Sequence, residues 1–351
     1  MPRAASTSDP RRWLALAVAL ALAACSPPPE RVETLLVFGS TAEIRLRGAD
    51  PDAAQAALSE LSAVLNQRHR EWHAWEPSDV TRINEAFAAG QPAEAPDSVR
   101  ELVRLAQPLS VATDGLFDPA VGGLVEAWGF HTSTYPILTP TPRDEVLAAW
   151  LQDRPRITGV RIEGTQLRAD NPRTQLDFAA MAEGVAAGQV LATLQRHGVH
   201  DALVNLGGDV TALVGKGSPA WRVALRDPFG GVLGTVDLDD GESLFSSGNY
   251  NKFRYSAAGA RQAHILDPRT GQPARGTQSL TILITPREGG GTGAGTLSDA
   301  PSKPAYLAGE HWREHTRRFG IEHVLRVAGD GRVEVTRALR ARLQFPAPLA
   351  V

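Results

Sequence analysis

The chain of 351 residues carries 36 lysines and arginines against 39 aspartates and glutamates, which gives a formal net charge of −3 and a pI near 6.3. This balance gives no electrostatic case for nucleic-acid binding, because that binding relies on clustered lysine and arginine. The single cysteine excludes an intramolecular disulfide, so a hydrophobic core has to stabilise the protein, and the length allows one large domain or two smaller ones.

The first 24 residues predict an export signal of the lipoprotein type. Three arginines precede an unbroken apolar run from Trp13 to Ala24, which is shorter than a membrane span of about 20 residues. The small residues before Cys25 resemble a lipobox, so we expect cleavage before Cys25 and a lipid on its sulfur. The alternative is an ordinary signal peptide, but Cys25 is the only cysteine and stands where a lipobox requires one.

Residues 25–31 predict a short tether, because three consecutive prolines after Ser26 make this segment stiff. A serine rather than an aspartate after the cysteine is typical of lipoproteins sorted to the outer membrane. We therefore expect a lipid-anchored protein on the periplasmic side of a bacterial membrane, with the outer membrane favoured, and a folded body over residues 32–345.

Hydrophobic periodicity predicts both helices and strands in this body. Apolar residues at spacings of three and four predict helices over Pro51–Arg70, about Ser98–Thr113 and Ala180–His197, the last ending at Gly198. Alternating residues around Glu163-Gly164 predict a hairpin. Further apolar runs predict strands at Val32–Phe38, Ala42–Arg47, Ala202–Leu206, Val210–Val214, Trp221–Leu225, Leu244–Ser246 and Leu280–Ile284. Helices mixed with mostly antiparallel strands indicate an α+β fold.

Two segments in the first half combine aromatic residues with turn formers. Trp75 precedes a Pro/Ser turn and offers a flat face for stacking on a ring system, although a core position explains it as well. Downstream, Gly115 introduces the sequence Leu116-Phe117-Asp118-Pro119, and a glycine there permits close approach of the backbone to a ligand. Alternatively, Asp118 has a purely structural role, because an aspartate before Pro119 suits the cap of a following helix.

A third segment places two carboxylates at the start of a predicted helix. We expect Asp177 to end a strand and Glu183 to lie in the first helical turn. Free N–H groups at a helix N-terminus form a ready site for an anion. Alternatively, a carboxylate there only balances the helix dipole.

The fourth segment runs from His264 to Gly271 and is followed by Ser298-Asp299-Ala300. The residues Asp-Pro-Arg-Thr-Gly strongly favour a turn, and a turn alone would explain their presence. His264 is a candidate general base. Asp299 offers an oxygen ligand of the kind that hard cations prefer, although a lone loop aspartate is more often solvated.

In this order the segments resemble the bacterial FAD:protein FMN transferases. The resemblance covers about residues 33–325, and its most distinctive piece is His264-Ile265-Leu266-Asp267-Pro268-Arg269-Thr270-Gly271. It implies an α+β fold of the ApbE type, with two related T-fold-like subdomains. It also implies binding of FAD with Mg2+, transfer of FMN to a threonine of another protein, and release of AMP.

The resemblance assigns roles to individual residues. His264 matches a catalytic histidine, while Asp299 and the carbonyl of Ala180 match ligands of the metal. The positions that match contacts to FAD are Phe38, Trp75, Leu116, Phe117, Asp118, Asp177, Glu183 and Ile265. The acceptor is expected to be a separate membrane-associated redox subunit, because the chain contains no complete Asp-x-x-Ser/Thr-x-Ala-Thr acceptor motif.

One departure concerns the metal site. Lys303 stands where the family has a threonine or serine ligand, and an ammonium only donates hydrogen bonds. We expect weakened or altered Mg2+ dependence; in the alternative, a register shift lets Ser302 or Ser298 take the place of the missing ligand. Pro301 and Pro304 also depart from the helix that the family has here. The alternative function is a non-catalytic FAD-binding lipoprotein with a degenerate metal site.

Two further motifs offer weaker alternatives. His311-x-x-Glu314-His315 has the spacing of a zinc peptidase and would place both histidines on one helix face, but only Glu322 and Glu334 remain downstream as acidic glutamate ligands. Gly289-x-Gly291-x-x-Ala294 has the spacing of a dinucleotide fingerprint, but the prolines after it predict a surface loop.

Overall fold

The computed structural model describes residues 30–38, 40–256, 258–286, 288 and 294–345, and of residues 294–300 it describes the helix without the side chains. Cys25, Ser26 and the predicted signal lie outside the described residues, as does most of the segment from Gly289 to Ala294. Within the described part of the chain, no helix has both the length and the apolar character needed to cross a membrane.

The strands are, in chain order, β1 (Glu30–Val37), β2 (Ser40–Arg47), β3 (Ala93–Glu94), β4 (Val160–Glu163), β5 (Gln166–Ala169), β6 (Ala202–Leu206), β7 (Asp209–Leu213), β8 (Trp221–Arg226), β9 (Val232–Leu238), β10 (Ser243–Gly248), β11 (Phe253–Tyr255), β12 (Arg261–Ala263), β13 (Leu266–Asp267), β14 (Gln272–Pro273), β15 (Thr277–Ile284), β16 (His323–Ala328) and β17 (Val333–Val335). Eight of them form one antiparallel sheet in the order β1-β2-β6-β7-β10-β15-β16-β17. The others form small sheets, β3-β5-β4, β8-β9, β11-β12 and β13-β14.

The α-helices are α1 (Pro51–Trp72), α2 (Asp79–Ala88), α3 (Asp97–Ala112), α4 (Gly122–Ala127), α5 (Asp144–Gln152), α6 (Ala179–Arg196), α7 (Ala294–Leu307), α8 (Trp312–Arg318) and α9 (Arg337–Arg340). Short 3-10 turns cover Ile157–Gly159 and Gly309–His311. Local chemistry sets the start of α1, where the Asp50 side chain accepts hydrogen bonds from two backbone N–H groups and Pro51 occupies the first turn.

The core forms on both faces of the large sheet. Around β2 and β6, residues such as Ile44 and Leu61 pack together with the buried sides of α1, α2, α3 and α6. Strand β15 is buried on both faces: Leu280 and Ile282 pack against α7 and α8, whereas Leu283 packs toward β8, β9 and α9. A separate cluster holds α4 and α5 together and contains Trp128 and Trp150.

The α+β prediction is confirmed, and most predicted elements are present within one to three residues of their predicted ends. The hairpin turn lies one residue later than predicted, since Glu163 pairs with Gln166 and leaves Gly164-Thr165 in the turn. Gly198 follows the end of α6 with φ +74°, as a helix-terminating glycine does. The sequence patterns missed α2, α5, β9 and β16, which are short or lack a clean period.

The expectation that Pro301 and Pro304 break the helix is wrong. Both prolines lie inside α7, which runs without interruption from Ala294 to Leu307. The helix packs against α6, β10 and β15, and its Ala305 and Tyr306 are fully buried. This packing outweighs the backbone hydrogen bonds that the two prolines cannot make.

Candidate active site

A cavity of about 300 Å³ lies between the turn from β1 to β2, the turn after α1, the loop before α4, the start of α6 and the hairpin β13–β14. All positions that match FAD contacts line it, namely Phe38, Trp75, Leu116, Phe117, Asp118, Asp177, Glu183 and Ile265. His264, Ala180 and Lys303 line it too. Residues separated by more than 260 positions therefore meet in one place, and their assignment to a flavin remains a prediction.

Aromatic rings form one side of the cavity. Phe38, in the turn between β1 and β2, stacks on Trp72 with ring centroids 5.9 Å apart and planes 14° apart. Trp75, in the turn after α1, stacks on His131 at 5.2 Å and 16°. These flat faces suit a planar ring system, since stacking favours parallel, offset rings.

Asp118 does not cap a helix, so the alternative role suggested by the sequence is wrong. Helix α4 begins at Gly122 after Val121, while the Asp118 carboxylate accepts hydrogen bonds from the backbone N–H groups of Ala120 at 3.0 Å and Ile157 at 2.9 Å, and from Ser110 Oγ at 3.2 Å. Burial raises the pKa of Asp118, and these hydrogen bonds oppose the shift. The carboxylate therefore ties the loop before α4 to a distant turn.

Asp177 is held from both sides. It does not end a regular strand as expected, since only the neighbouring Gln175 forms an isolated bridge, to Val121. Its Oδ1 accepts from the N–H of Ala179 at 3.0 Å, and its Oδ2 lies 3.3 Å from His131 Nε2. Asp177 thus joins the start of α6 to the histidine that stacks on Trp75.

Glu183 lies one turn deeper in α6 than expected, because the helix begins at Ala179. Its carboxylate lies directly against Gly207, where a Cβ atom would come within 2.4 Å of Glu183 Oε1. Gly207 also has φ +63°, so this turn between β6 and β7 requires glycine for both reasons.

His264 is oriented by the backbone. Its Nδ1 lies 3.1 Å from the carbonyl oxygen of Lys252, and because a carbonyl only accepts, Nδ1 carries the proton and Nε2 keeps its lone pair. Burial, together with Lys252 and Lys303, lowers the pKa of His264 from 6.5 to about 3. A neutral imidazole with an unprotonated Nε2 is the form that a general base needs.

Lys252 and Lys303 give the same part of the cavity positive charge. Both line the cavity, and both lie close enough to His264 to lower its pKa. Lys303 also opposes the rise that burial produces in the pKa of Tyr250. Two ammonium groups beside a neutral base are suited to a phosphorylated substrate.

The predicted metal ligands are only partly described. Ala180 lines the cavity, whereas the side chains of Asp299 and Ser298 lie outside the described ones. Ser302 is buried with its Oγ 3.0 Å from Ser247 Oγ. The Lys303 ammonium has no lone pair to offer a cation, so Lys303 does not replace the threonine or serine ligand that the resemblance implies.

The zinc-peptidase interpretation is wrong in its geometry. His311 ends a 3-10 turn and only His315 lies in α8, so the motif does not lie within one α-helix as that interpretation requires. Glu334, one of the two downstream glutamates, is paired with Arg326 at 2.7 Å. Among the described side chains, the group with metal-ligand spacing is instead His69, His73 and Glu76.

Several cavity residues were missed by the sequence reasoning. His73, His131, Tyr135 and Lys252 all contact the cavity or its lining residues. Each stands within a few residues of one of the sequence motifs, and this nearness is the only feature of the sequence that indicates a place in the cavity. Their chemistry depends on partners far along the chain, which a local pattern does not contain.

Comparison with known proteins gives consistent matches. A model of the ApbE family matches residues 38–324. The chain is 41% identical to an FAD:protein FMN transferase of Rhodobacter capsulatus over 97% of its own length, and it spans 65% of that relative. Its fold is similar to the crystal structure of the ApbE protein of Thermotoga maritima, with a TM-score of 0.76, 26% identity, and coverage of 90% of this chain and 99% of the other. The flavinyl transferase ApbE of Pseudomonas stutzeri gives a TM-score of 0.76 at 27% identity, covering 92% and 99% of the two chains.

The low pKa of His264 predicts a pH-dependent contribution to stability. Below pH 6.5 the unfolded chain takes up a proton at this residue, while the folded protein does not until about pH 3. The stability contributed by neutral His264 is therefore present above pH 6.5 and is lost as the pH falls toward 3. We expect wild type to lose stability relative to His264→Asn when the pH is lowered from 7.5 to 5, as measured by thermal unfolding, and an unchanged difference would contradict the lowered pKa.

Proposed function

Because this chain belongs to the ApbE family, we propose that it is an FAD:protein FMN transferase, which moves FMN from FAD to a threonine of an acceptor protein and releases AMP. The observation that carries the proposal is the cavity itself. It combines stacking aromatic faces, held carboxylates, two ammonium groups and a neutral His264. A relative 41% identical over 97% of this chain carries the same activity in its name.

The proposed reaction is a phosphoryl transfer. The threonine oxygen attacks the FMN-side phosphorus of FAD and forms a new P–O bond, while the bond from that phosphorus to the oxygen bridging to AMP breaks. The electron pair of the broken bond leaves with AMP. Charge builds on the phosphoryl oxygens, where Lys252 and Lys303 provide positive charge.

His264 is the residue we assign to accept the threonine proton. Its Nε2 has a lone pair because the Lys252 carbonyl holds the proton on Nδ1. A pKa of about 3 makes it a weak base in the ligand-free protein. A bound diphosphate carries negative charge, which raises the pKa of a neighbouring histidine and strengthens it as a base.

The aromatic faces and carboxylates account for substrate orientation. Phe38 and Trp75 present ring faces for the isoalloxazine system. Asp118, Asp177 and Glu183 are held by backbone contacts or close packing, so they offer fixed acceptors for N–H and O–H groups of FAD. A non-catalytic protein could bind FAD with the same side chains. The transferase is favoured because relatives are named FAD:protein FMN transferase and because His264 provides a base.

For the metal, we propose that Lys303 weakens the dependence on Mg2+. A bound Mg2+ would neutralise charge on the phosphoryl oxygens. The ammonium of Lys303 supplies positive charge in the same cavity without coordinating a metal. Asp299 and the Ala180 carbonyl remain the residues proposed to hold a cation.

We further propose that the protein is lipidated at Cys25 and attached to the periplasmic side of a bacterial membrane, with Ser26 favouring the outer membrane. The apolar run before Cys25 and the small residues next to it support this location. The acceptor would then be a separate, membrane-associated redox subunit, because the anchor keeps the cavity near the membrane surface.

Transfer can be tested by co-expressing the full chain with a protein that carries the Asp-x-x-Ser/Thr-x-Ala-Thr motif. We expect covalent flavin fluorescence on the acceptor in a denaturing gel, and none when its threonine is changed to valine. His264→Asn should slow AMP release by about 10²–10⁴-fold, because it removes the base but keeps a donor for the Lys252 carbonyl. FAD binding without labelled acceptor would support the non-catalytic alternative.

The role of Lys303 predicts a change in metal dependence. AMP release by wild type should fall less than about tenfold when Mg2+ is removed with a chelator, since an ammonium still provides charge. Lys303→Thr restores an oxygen ligand and should make turnover strongly Mg2+-dependent. A wild type that turns over rapidly with Mg2+ and stops without it would contradict the proposal.

The anchor is tested by fractionating cells that express the full chain. Cys25→Ser removes the thiol that takes the lipid, so the protein should leave the membrane fraction while its soluble form still releases AMP. Ser26→Asp should move the protein from the outer to the inner membrane. Membrane association that survives Cys25→Ser would show that another segment anchors the protein.

A further inference from the structure

His69, in the last turn of α1, and His73, the residue that follows this helix, contact the backbone of the cavity wall. His69 Nδ1 accepts a hydrogen bond from the backbone N–H of Phe38 at 3.0 Å. His73 Nδ1 accepts from the backbone N–H of Glu76 at 2.9 Å, with the N–H of Trp75 at 3.4 Å. The rings lie edge to face with centroids 5.1 Å apart, and the His73 N–H donates to the His69 carbonyl at 3.2 Å.

The contact with His69 is made at a strained turn. Val37 pairs with Ser40, which leaves Phe38 in the turn between β1 and β2. Phe38 has φ +56°, a left-handed conformation that residues other than glycine rarely adopt. The hydrogen bond from its N–H to His69 therefore holds a conformation that the hairpin turn uses but that a phenylalanine disfavours.

The contact with His73 organises the turn that carries Trp75. The His73 ring is buried and lies edge-on to Trp75 with centroids 4.4 Å apart. Its backbone carbonyl accepts from Ser78 Oγ at 2.5 Å, and Ser78 caps α2. His73 thus holds both the backbone of the turn and the indole ring of Trp75.

These hydrogen bonds also decide against a metal at this place. His69, His73 and Glu76 have ligand atoms within 4.8 Å of one another. A neutral imidazole whose Nδ1 accepts a hydrogen bond carries its proton on Nε2. The Nε2 atoms are therefore donors, and a cation there would need the lone pairs that these protons occupy.

We propose that His69 and His73 are positioning residues, which act as neutral hydrogen-bond acceptors to hold Phe38 and Trp75 in the orientation that receives the flavin ring. The inference rests on the proposed function, since it takes the flavin as the ligand of the cavity. Burial lowers the pKa of His73, and the nearby Glu76 opposes that shift, so the neutral form is retained near neutral pH.

Asparagine and leucine form a matched pair for the test. Asparagine places an oxygen acceptor where histidine has Nδ1, whereas leucine has a similar size and no acceptor. In the full-length protein, His69→Asn and His73→Asn should bind FAD within about threefold of wild type. His69→Leu and His73→Leu should weaken FAD binding about tenfold, with KM for FAD rising more than kcat falls. The exposed His200→Leu is the control and should bind as wild type.

FAD affinity is measured by flavin fluorescence, and folding by circular dichroism and thermal unfolding. Near-ultraviolet dichroism of bound flavin reports ring orientation, so it should change in the leucine variants and be restored in the asparagine variants. Equal affinities for the asparagine and leucine variants at either position would overturn the role of that histidine. If His73→Leu does not fold, the comparison of His69→Asn with His69→Leu tests the proposal, because His69 is only partly buried. A wild type that binds no FAD would instead overturn the proposed function.

Discussion

The cavity depends on a short seam between two loops that are far apart in sequence. The N–H of Asp177 donates to the carbonyl of Pro119 at 2.8 Å, and the N–H of Gly122 donates to the carbonyl of Gln175 at 2.9 Å. A Cβ atom on Gly122 would lie 2.7 Å from that carbonyl oxygen, so the seam closes only with glycine there. It brings the loop of Leu116 to Asp118 against the start of α6, and the other walls assemble around this contact.

Within these walls, several side chains that line the cavity are themselves held by the protein. The carboxylate of Asp118 is occupied by two backbone N–H groups, and Asp177 bridges a helix start and His131. Their fixed geometry costs little further ordering when a ligand binds, which is how preorganised sites gain affinity and rate. His264 is held in the same way, by a carbonyl that selects its tautomer.

The α+β class and most helices and strands could be predicted because they follow from local periodicity. α1 and α6 bury residues at helical spacing, and β6 was predicted with its observed ends. Helix α7 shows where local rules fail, since burial of Ala305 and Tyr306 outweighs two internal prolines. Asp118 shows the same at a single residue, because its partner Ile157 lies 39 positions away.

By itself, the sequence determined which residue types were available and in what order: a cysteine behind an apolar run, the turn that carries Trp75, and the segment from His264 to Gly271. Only the tertiary structure decided how they meet. The stack of Trp75 on His131, the tautomer of His264 and the acceptor role of His69 toward Phe38 all arise from contacts between different segments. Hydrogen bonds and stacking need angstrom-scale placement, and that placement comes from packing of the whole chain rather than from any local pattern.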